Sequence, residues 1–581
     1  MGDKSKTIGA GFILPTDDFL PDGFAVSDLT DEHKMVRNTI REFMENEVLG
    51  SEAIKKIEGK DWDFTRRLLT KLGELGILGA EVPEVYGGSD MDKIVSAIVA
   101  EEVGREGSFA ATVLAHTGIG MGPIRYFGNE EQKTRYLPKL ASANSIAAYS
   151  LTESQAGSDV NSIRTTATRT ESGYILNGEK IFLTNGRLAD VITVFAKLDG
   201  EPTAFIVERS FDGVKPGKEE HKLGIQGSST TTLVLDGVRV PRENLLGKEG
   251  GGKEIAYSIL NLGRFKLGAA CLGGARLCLL EALGYATERK QFDSAIVQFG
   301  AIREKLARMA AGIYAMESVI YGTAGKLNDS ILGVDQKSTD AVLTAIKEFA
   351  VECSLVKVFC SETMFNIAYD NVRIHGGNGF MKDYPAERHL RDAVINTIFE
   401  GTNEINRLLL VGVVLKRAAK GLLPLMAVGK KIGEEILTSS LQTEPDDVVE
   451  RLHYYLNNAK KAVILVSGSV WEKYGIKLAE ANKLPQVQIL MLGLADLLID
   501  IYVMENCLAA FTKDRSERNE NLVRLVFMDR LFNTDRLLRE VLPMCAEGDT
   551  LRIYLAATRR LLKFTPDNRA VLCDNIVNGL A

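Results

Sequence analysis

The sequence predicts a mainly helical α+β chain: a helical N-terminal domain, a middle antiparallel β domain, a helix bundle and a further helical block. Three observations predict it. Apolar residues recur at helical spacing up to about residue 142. Short β-branched runs divided by Gly, Asp, Asn and Pro then occupy roughly a hundred residues. Helical periodicity returns from 253 and runs, with one polar break, to the C-terminus.

A chain of 581 residues is too long for one core. The boundaries read as an extension over 1–30, a helical domain over 31–142, a β domain over 143–249, a bundle over 250–418 and a last helical domain over 430–581. In "DLTDEHKMVRNTIREFMENEV" the apolar face is Val36, Ile40, Phe43 and Met44, with Thr30 as the expected N-cap. "RRLLTKLGELGILG" and "EEQKTRYLPKLASA" continue the pattern. The strands are expected in "YILNGEKIFLTNG", "DVITVFAKLDGEPTAFIVERS" and "TTTLVLDGVRVP", and Gly250, Gly251 and Gly252 mark a hinge after them. Beyond it, Ile302, Leu306, Met309, Ile313, Met316 and Ile320 alternate steps of four and three, the seam of a bundle. "SSLQTEPDDVVE" breaks the pattern before the last block. The apolar run 489–504 carries Asp496 and Asp500 and is too short to span a bilayer, so it reads as a buried helix with acids on one edge.

Composition excludes several classes of function. A net charge of −7 and a pI near 5.7 argue against nucleic acid as a partner, because phosphate binding needs a basic face. Seven cysteines without a C-x-x-C pair give neither a zinc pattern nor a disulfide framework, and no metal is expected. A reducing compartment fits that usage. The N-terminus shows neither a secretory h-region nor a transit-peptide composition, so a cytoplasmic protein is expected.

Five short motifs could carry chemistry. In "YSLTESQAGSD" (149–159), hydroxyls at Thr152 and Ser158 beside Gly157 could address a phosphate or a flat polar ring; alone, the piece also describes a loop closing a strand. In "KIFLTNG", Phe182 and Thr184 sit two apart and should share a strand face, which suits a flat cofactor or plain core packing. Arg289 and Phe292 of "ERKQF" could pair with a diphosphate and pack on a base, or simply end a helix in solvent. "RIHGGNGF" (373–380) permits close backbone approach or a tight interhelical turn, and His375 receives no role. "IFEGTNEINR" places a lone acid, Glu400, between apolar residues and a glycine turn. Neither a Walker sequence nor a strand–G-x-G-x-x-G–helix arrangement is present, which disfavours a nicotinamide cofactor on a Rossmann fold.

In that order and separation the five motifs resemble the acyl-CoA dehydrogenase family over about residues 30–415, and the block after 430 is similar to its very-long-chain branch. The resemblance implies a four-helix C-terminal bundle and FAD held between bundle and β domain. It implies that Tyr149, Leu151, Thr152, Gly157 and Ser158 line the flavin, with Phe182 and Thr184 on its other side and Thr402 and Glu404 also at the cofactor. Arg289 and Phe292 would reach the FAD of a neighbouring subunit, and Gly377 and Arg373 its adenosine-diphosphate end, so a homodimer is expected. Ser154 stands where many relatives have proline and Arg373 where they have glutamine; the second change puts that contact in doubt.

The resemblance makes Glu400 the base that removes an α-proton from a fatty acyl-CoA while the β-hydrogen leaves as hydride to the flavin. Ile398 and Phe399 before it should strip water and raise its pKa, and Gly401 should let the chain turn beside the ligand. The alternative for Glu400 is an acid complementing the dipole of the following helix. Some members carry the base one residue before the arginine matched by Arg264; here that position is Gly263, so Glu400 has no competitor. Arg264 is expected near the CoA portion, with Ser158, Phe399 and Gly401 also at the substrate. Ala111 and Ala115 are small where medium-chain relatives floor the pocket with longer side chains, which implies long acyl chains. Electron-transfer flavoprotein is the expected acceptor. An acyl-CoA oxidase, or a non-catalytic assembly protein on the same fold, also accommodates the motifs. Segment 422–437 is expected to be a packed helix, with contact to a membrane surface as the alternative.

Overall fold

The structure, a computed structural model, describes residues 8–16, 23–336, 338–438, 443–475, 478 and 485–580. It has the expected class: helices, then a β domain, then helices again. The first helix, Asp31–Phe43, starts where Thr30 accepts a hydrogen bond from the His33 N–H (3.2 Å), and Val36, Ile40, Phe43 and Met44 are all buried. The lead segment is tied down. The Ala10 N–H donates to Glu352 (2.6 Å), and the Phe12 ring packs edge-on against Tyr502.

Two helices of this first domain pack against the bundle, and the second of them lines the site. Lys93–Val103 is buried along its whole length, and Gly107–Leu114 begins where Glu106 accepts from the Phe109 N–H (2.6 Å). The second helix passes into a π-helical turn over Ala115–Gly120, a wide turn that leaves room along its inner face.

The β domain is one eight-stranded sheet. Its strands are β1 (Ala147–Ser150), β2 (Thr166–Arg169), β3 (Gly173–Thr184), β4 (Val191–Leu198), β5 (Glu201–Glu208), β6 (Val214–Glu219), β7 (Thr230–Pro241) and β8 (Leu245–Leu246). They run in the order β6-β7-β3-β2-β4-β5-β8, with β1 beside β4. Most ladders are antiparallel; β1 and β2 pair with β4 in parallel. The ladder of β3 on β7 slips between Lys180 and Leu183, where Phe182 takes a positive φ of 56°.

The bundle is built on three long helices, Gly252–Glu288, Gly300–Leu332 and Ala350–His375, with Asn403–Ala419 as the fourth. Leu306, Met309, Ile313, Met316 and Ile320 are buried as the seam requires, with Ile302 at its edge. The last block contributes Val448–Tyr474, Pro485–Lys513 and Glu517–Cys545. Gly252–Glu288 and Pro485–Lys513 are long and apolar enough to cross a membrane, yet 61% and 72% of their apolar windows are buried in the protein. The acids of Pro485–Lys513 are paired within the protein. Asp496 pairs with Arg407 (2.7 Å), and Asp500, 1% exposed, accepts from Arg530, Asn533 and Thr534. Arg407 also holds Glu362 (2.7 and 2.9 Å), joining this block to the bundle. Within 422–437, the helix Leu425–Thr438 buries Ile432 and sets Gly429 against Ile464, leaving Met426 exposed. All seven cysteines are free and buried.

Candidate active site

The glycine turn after the last bundle connection is held from below at every carbonyl. The Asn403 N–H returns to the Thr397 carbonyl (3.0 Å) and closes the loop. Asn406 Nδ2 donates to the carbonyls of Glu400, Gly401 and Thr402 (3.3, 2.8 and 3.1 Å). Arg264 Nε donates to the Glu400 carbonyl (3.2 Å), and Lys357 Nζ to that of Gly401 (2.9 Å). This grip supports an unfavourable backbone: Glu400 has φ 60° and Gly401 φ 83°. Thr402 caps the next helix by accepting from the Ile405 N–H (3.3 Å), and the exposed Glu404 in its first turn is the acid that meets the helix dipole. Glu400 is therefore free of that task.

The Glu400 side chain turns inward. Its Oε2 is out of solvent contact and has no hydrogen-bond partner among the described residues, although the residue as a whole keeps partial exposure. Gly263 provides the space: a Cβ there would lie 2.8 Å from Oε2 and 2.9 Å from Cδ. Burial pushes the carboxyl up to about 7, against the opposing pull of Arg264 and Lys357. Ile398 plays no part in drying it, being 49% exposed; Phe399 does line the site.

Glu400 stands at one end of a cavity of about 100 Å³, several times the roughly 10–15 Å³ that one water needs. One wall is Gly263, Leu267, Ala270 and Gly274 of the Gly252–Glu288 helix; the other is Gly107, Ala111, Ala115 and Gly118. Thr184 reaches it from the β domain. Met364 lies beside Gly274 and Asp392 against Gly107, and His389 completes that part of the lining. Gly263 and Gly274 are separated by about 16 Å of helix rise.

The other expected site residues fall into two groups. Tyr149 packs its ring on Phe195 (5.0 Å); its buried hydroxyl finds no partner among the described residues and is pushed well up by burial and by Glu400. The loop after it, with Leu151, Thr152, Gly157 and Ser158, is anchored by a buried pair of Glu153 and Lys180 (2.6 Å), and Glu153 also accepts from the Arg164 and Thr165 N–H groups. The Leu151 carbonyl accepts from Lys180 (3.2 Å), while Gly157 and Ser158 are exposed. Phe182 is 61% exposed, so core packing is not its role, and the bulge rather than simple strand alternation sets its direction.

The second group lies where two bundle helices end together. Tyr285 stacks on His375 (4.2 Å), and its hydroxyl accepts from Asn378 (3.0 Å), which brings the exposed Arg289 and Phe292 near the Gly376–Phe380 turn. Phe292 is 89% exposed; Gly377 has open space where a side chain would stand; Arg373 pairs with Asp370 (3.0 Å). Arg264 departs from expectation. It is 4% exposed, also donates to Asn261 (3.0 Å), supports the turn from beneath and is not among the residues lining the cavity. Sequence reasoning missed Asn406, Lys357 and the Glu153–Lys180 pair.

These features fit the flavin that the motifs imply. An exposed Phe182 beside an unsatisfied Tyr149 hydroxyl and an open Gly157 loop is unexplained by the protein alone. A flat ring with a hydroxylated, phosphorylated tail would cover the phenylalanine and supply polar partners for the rest.

Comparison with known proteins agrees. Residues 30–144, 148–238 and 250–415 match the family descriptions "Acyl-CoA dehydrogenase, N-terminal domain", "middle domain" and "C-terminal domain", and 458–560 matches a second C-terminal description. A probable acyl-CoA dehydrogenase of Bacillus subtilis (strain 168) is 42% identical over 573 residues, covering 96% of this chain and 95% of that one. The mitochondrial very long-chain specific acyl-CoA dehydrogenase of Homo sapiens is 39% identical over 424 residues, 70% of this chain and 61% of its own length. The crystal structure of an acyl-CoA dehydrogenase complexed with FAD from Bacillus anthracis superposes with a TM-score of 0.94 at 41% identity, covering 99% of this chain and 98% of that one.

Proposed function

The chain belongs to the acyl-CoA dehydrogenase family of FAD-dependent oxidoreductases, and on that premise we propose that Glu400 takes the α-proton from a long-chain fatty acyl-CoA to give the trans-2-enoyl-CoA of β-oxidation. One observation carries the reading: a carboxyl with a sealed, unpartnered oxygen at the end of a long cavity lined by small and apolar side chains. With its pKa near 7, Glu400 is matched to accept a proton at neutral pH. The thioester α C–H is a very weak acid, so its removal needs the developing enolate oxygen to be stabilised. The Glu400 N–H makes no hydrogen bond among the described residues, which supports it as a donor to that oxygen. The clamp on the three carbonyls fixes this N–H and the carboxyl together, so geometry is set before substrate arrives.

FAD, when bound, supplies the acceptor for the hydride that leaves the β-carbon. Tyr149, Leu151, Thr152, Gly157, Ser158, Phe182 and Thr184 would hold its ring end, with Thr402 and Glu404 nearby. Arg289, Phe292, Arg373 and Gly377, gathered at the other end of the bundle, would serve the cofactor of a second copy in a homodimer. Ala111 and Ala115, small side chains on the cavity wall, and the wide turn that begins at Ala115 support long acyl chains. The free, buried cysteines support a reducing, cytoplasmic setting.

The test is anaerobic titration of the purified holoenzyme with acyl-CoAs of graded length, read as flavin bleaching. Bleaching is expected to be strongest with long chains. Glu400→Gln should retain FAD and bind acyl-CoA without bleaching; a variant that bleaches normally removes the base assignment. We assign electron-transfer flavoprotein as acceptor, and hydrogen peroxide formed at the turnover rate would replace it by oxygen.

A further inference from the structure

Among the described residues five lysines are buried: Lys93, Lys180, Lys266, Lys357 and Lys460. Four of them meet a carboxylate directly, through Glu81, Glu153, Glu81 and Glu505. Lys357 alone makes no ion pair among the described residues, and it is 0% exposed. Burying a cation without a counter-ion is costly, so the structure around it must compensate. Its Nζ donates to the Gly401 carbonyl (2.9 Å) and to Asn403 Oδ1 (2.6 Å). Asn403 is itself fixed, donating to Ser361 (3.1 Å) and Glu362 (2.9 Å). The ammonium thus faces the turn that carries Glu400.

We propose that Lys357 is the positioning residue of this turn: its Nζ, held on the Gly401 carbonyl and Asn403 Oδ1, keeps the Glu400 carboxyl in the cavity and sets a positive charge behind the turn. The proposal rests on the reading of Glu400 as base. Around the ammonium, Arg264 and Cys271 face it from the Gly252–Glu288 helix, Glu400 and Glu404 from the turn and the helix after it, and Glu362 from its own helix. Cys271 adds no charge at neutral pH, since burial pushes its thiol up to about 12. Arg264 shares the role of favouring the carboxylate but grips the other carbonyl. Removing the Lys357 charge therefore makes Glu400 hold its proton more tightly.

The test compares Lys357→Met with Lys357→Gln, which keeps an N–H donor without the charge. Holoenzymes are assayed for kcat and KM across pH, and for the pH at which they deprotonate a bound, non-oxidisable thioester with an acidified α C–H. In both variants the acid limb and the deprotonation midpoint are expected to move to higher pH. In the Met variant kcat should also fall by about 100-fold, as misplacement of a reacting group by about 1 Å does, with KM nearly unchanged. Should Lys357→Met fail to fold, Lys357→Gln carries the test. An unmoved limb and midpoint in the folded variants overturns the proposal. Glu400→Gln run alongside separates the two readings: turnover by that variant removes the base itself, whereas an inactive Glu400→Gln beside unmoved lysine variants removes only the role of Lys357.

Discussion

Replacing Gly263 by alanine should separate stability from activity. The residue lies inside the Gly252–Glu288 helix, where alanine is favoured over glycine by about 1 kcal/mol. The new methyl would stand 2.8 Å from Glu400 Oε2, and the carboxyl must retreat by roughly 0.6 Å to reach the 3.4 Å at which ordinary contact begins. A displacement of about 1 Å in a reacting group costs on the order of 100-fold in rate, so a loss of roughly ten- to a hundredfold is expected. The assay is anaerobic stopped-flow bleaching of the flavin with saturating long-chain acyl-CoA, beside urea denaturation of the same preparation. Gly263→Ala should denature no more readily than the parent yet reduce its flavin far more slowly. Wild-type bleaching by a correctly folded variant would refute the claim that the glycine exists to house the carboxyl.

Two further outcomes follow from the same site. Because the folded pKa of Glu400 is raised from 4.5 to about 7, the stability it allows below pH 4.5 is lost as pH rises through 7, a loss of about 3 kcal/mol. Glu400→Gln should therefore match the parent near pH 4 and exceed it in denaturation midpoint at pH 8; equal midpoints at both would contradict the burial of the acid. Ala111→Gln should shorten the slot, lowering kcat/KM for long acyl-CoAs by about 0.8 kcal/mol for each excluded methylene while sparing short ones, read from a chain-length series.

Much of this was legible in the sequence for physical reasons. The seam from Leu306 to Ile320 and the cap at Thr30 announce themselves because period and capping chemistry are local. The Glu400 turn stood out only beside the other four motifs, since an acid before a helix serves equally well as a partner of its dipole. What sequence could not give was direction. Phe182 belongs to a strand, but a slip in its pairing with β7 turns it outward, and that slip depends on the partner strand. Arg264 was placed near the CoA portion by the family resemblance alone; that its guanidinium lies beneath the turn and grips the Glu400 carbonyl depends on the packed bundle. Ile398 looked like insulation and points to solvent, whereas the insulation comes from helices distant in sequence. Lys357 offered a signal that was passed over: a single cation within "SLVKVFC", where every neighbour is apolar or small.

Arg407 has a consequence for the chain's last third. Two turns of helix separate it from the cap at Thr402 at most, and its guanidinium spans Glu362 on one side and Asp496 on the other. The added domain, which packs along Asn403–Ala419, is thereby also ion-paired to the same helix that begins at the glycine turn. Truncating the protein after the bundle would leave that cation its Glu362 partner but remove Asp496 and uncover the face of the helix that Pro485–Lys513 covers, so a chain cut there would expose apolar surface beside the element that begins at the glycine turn.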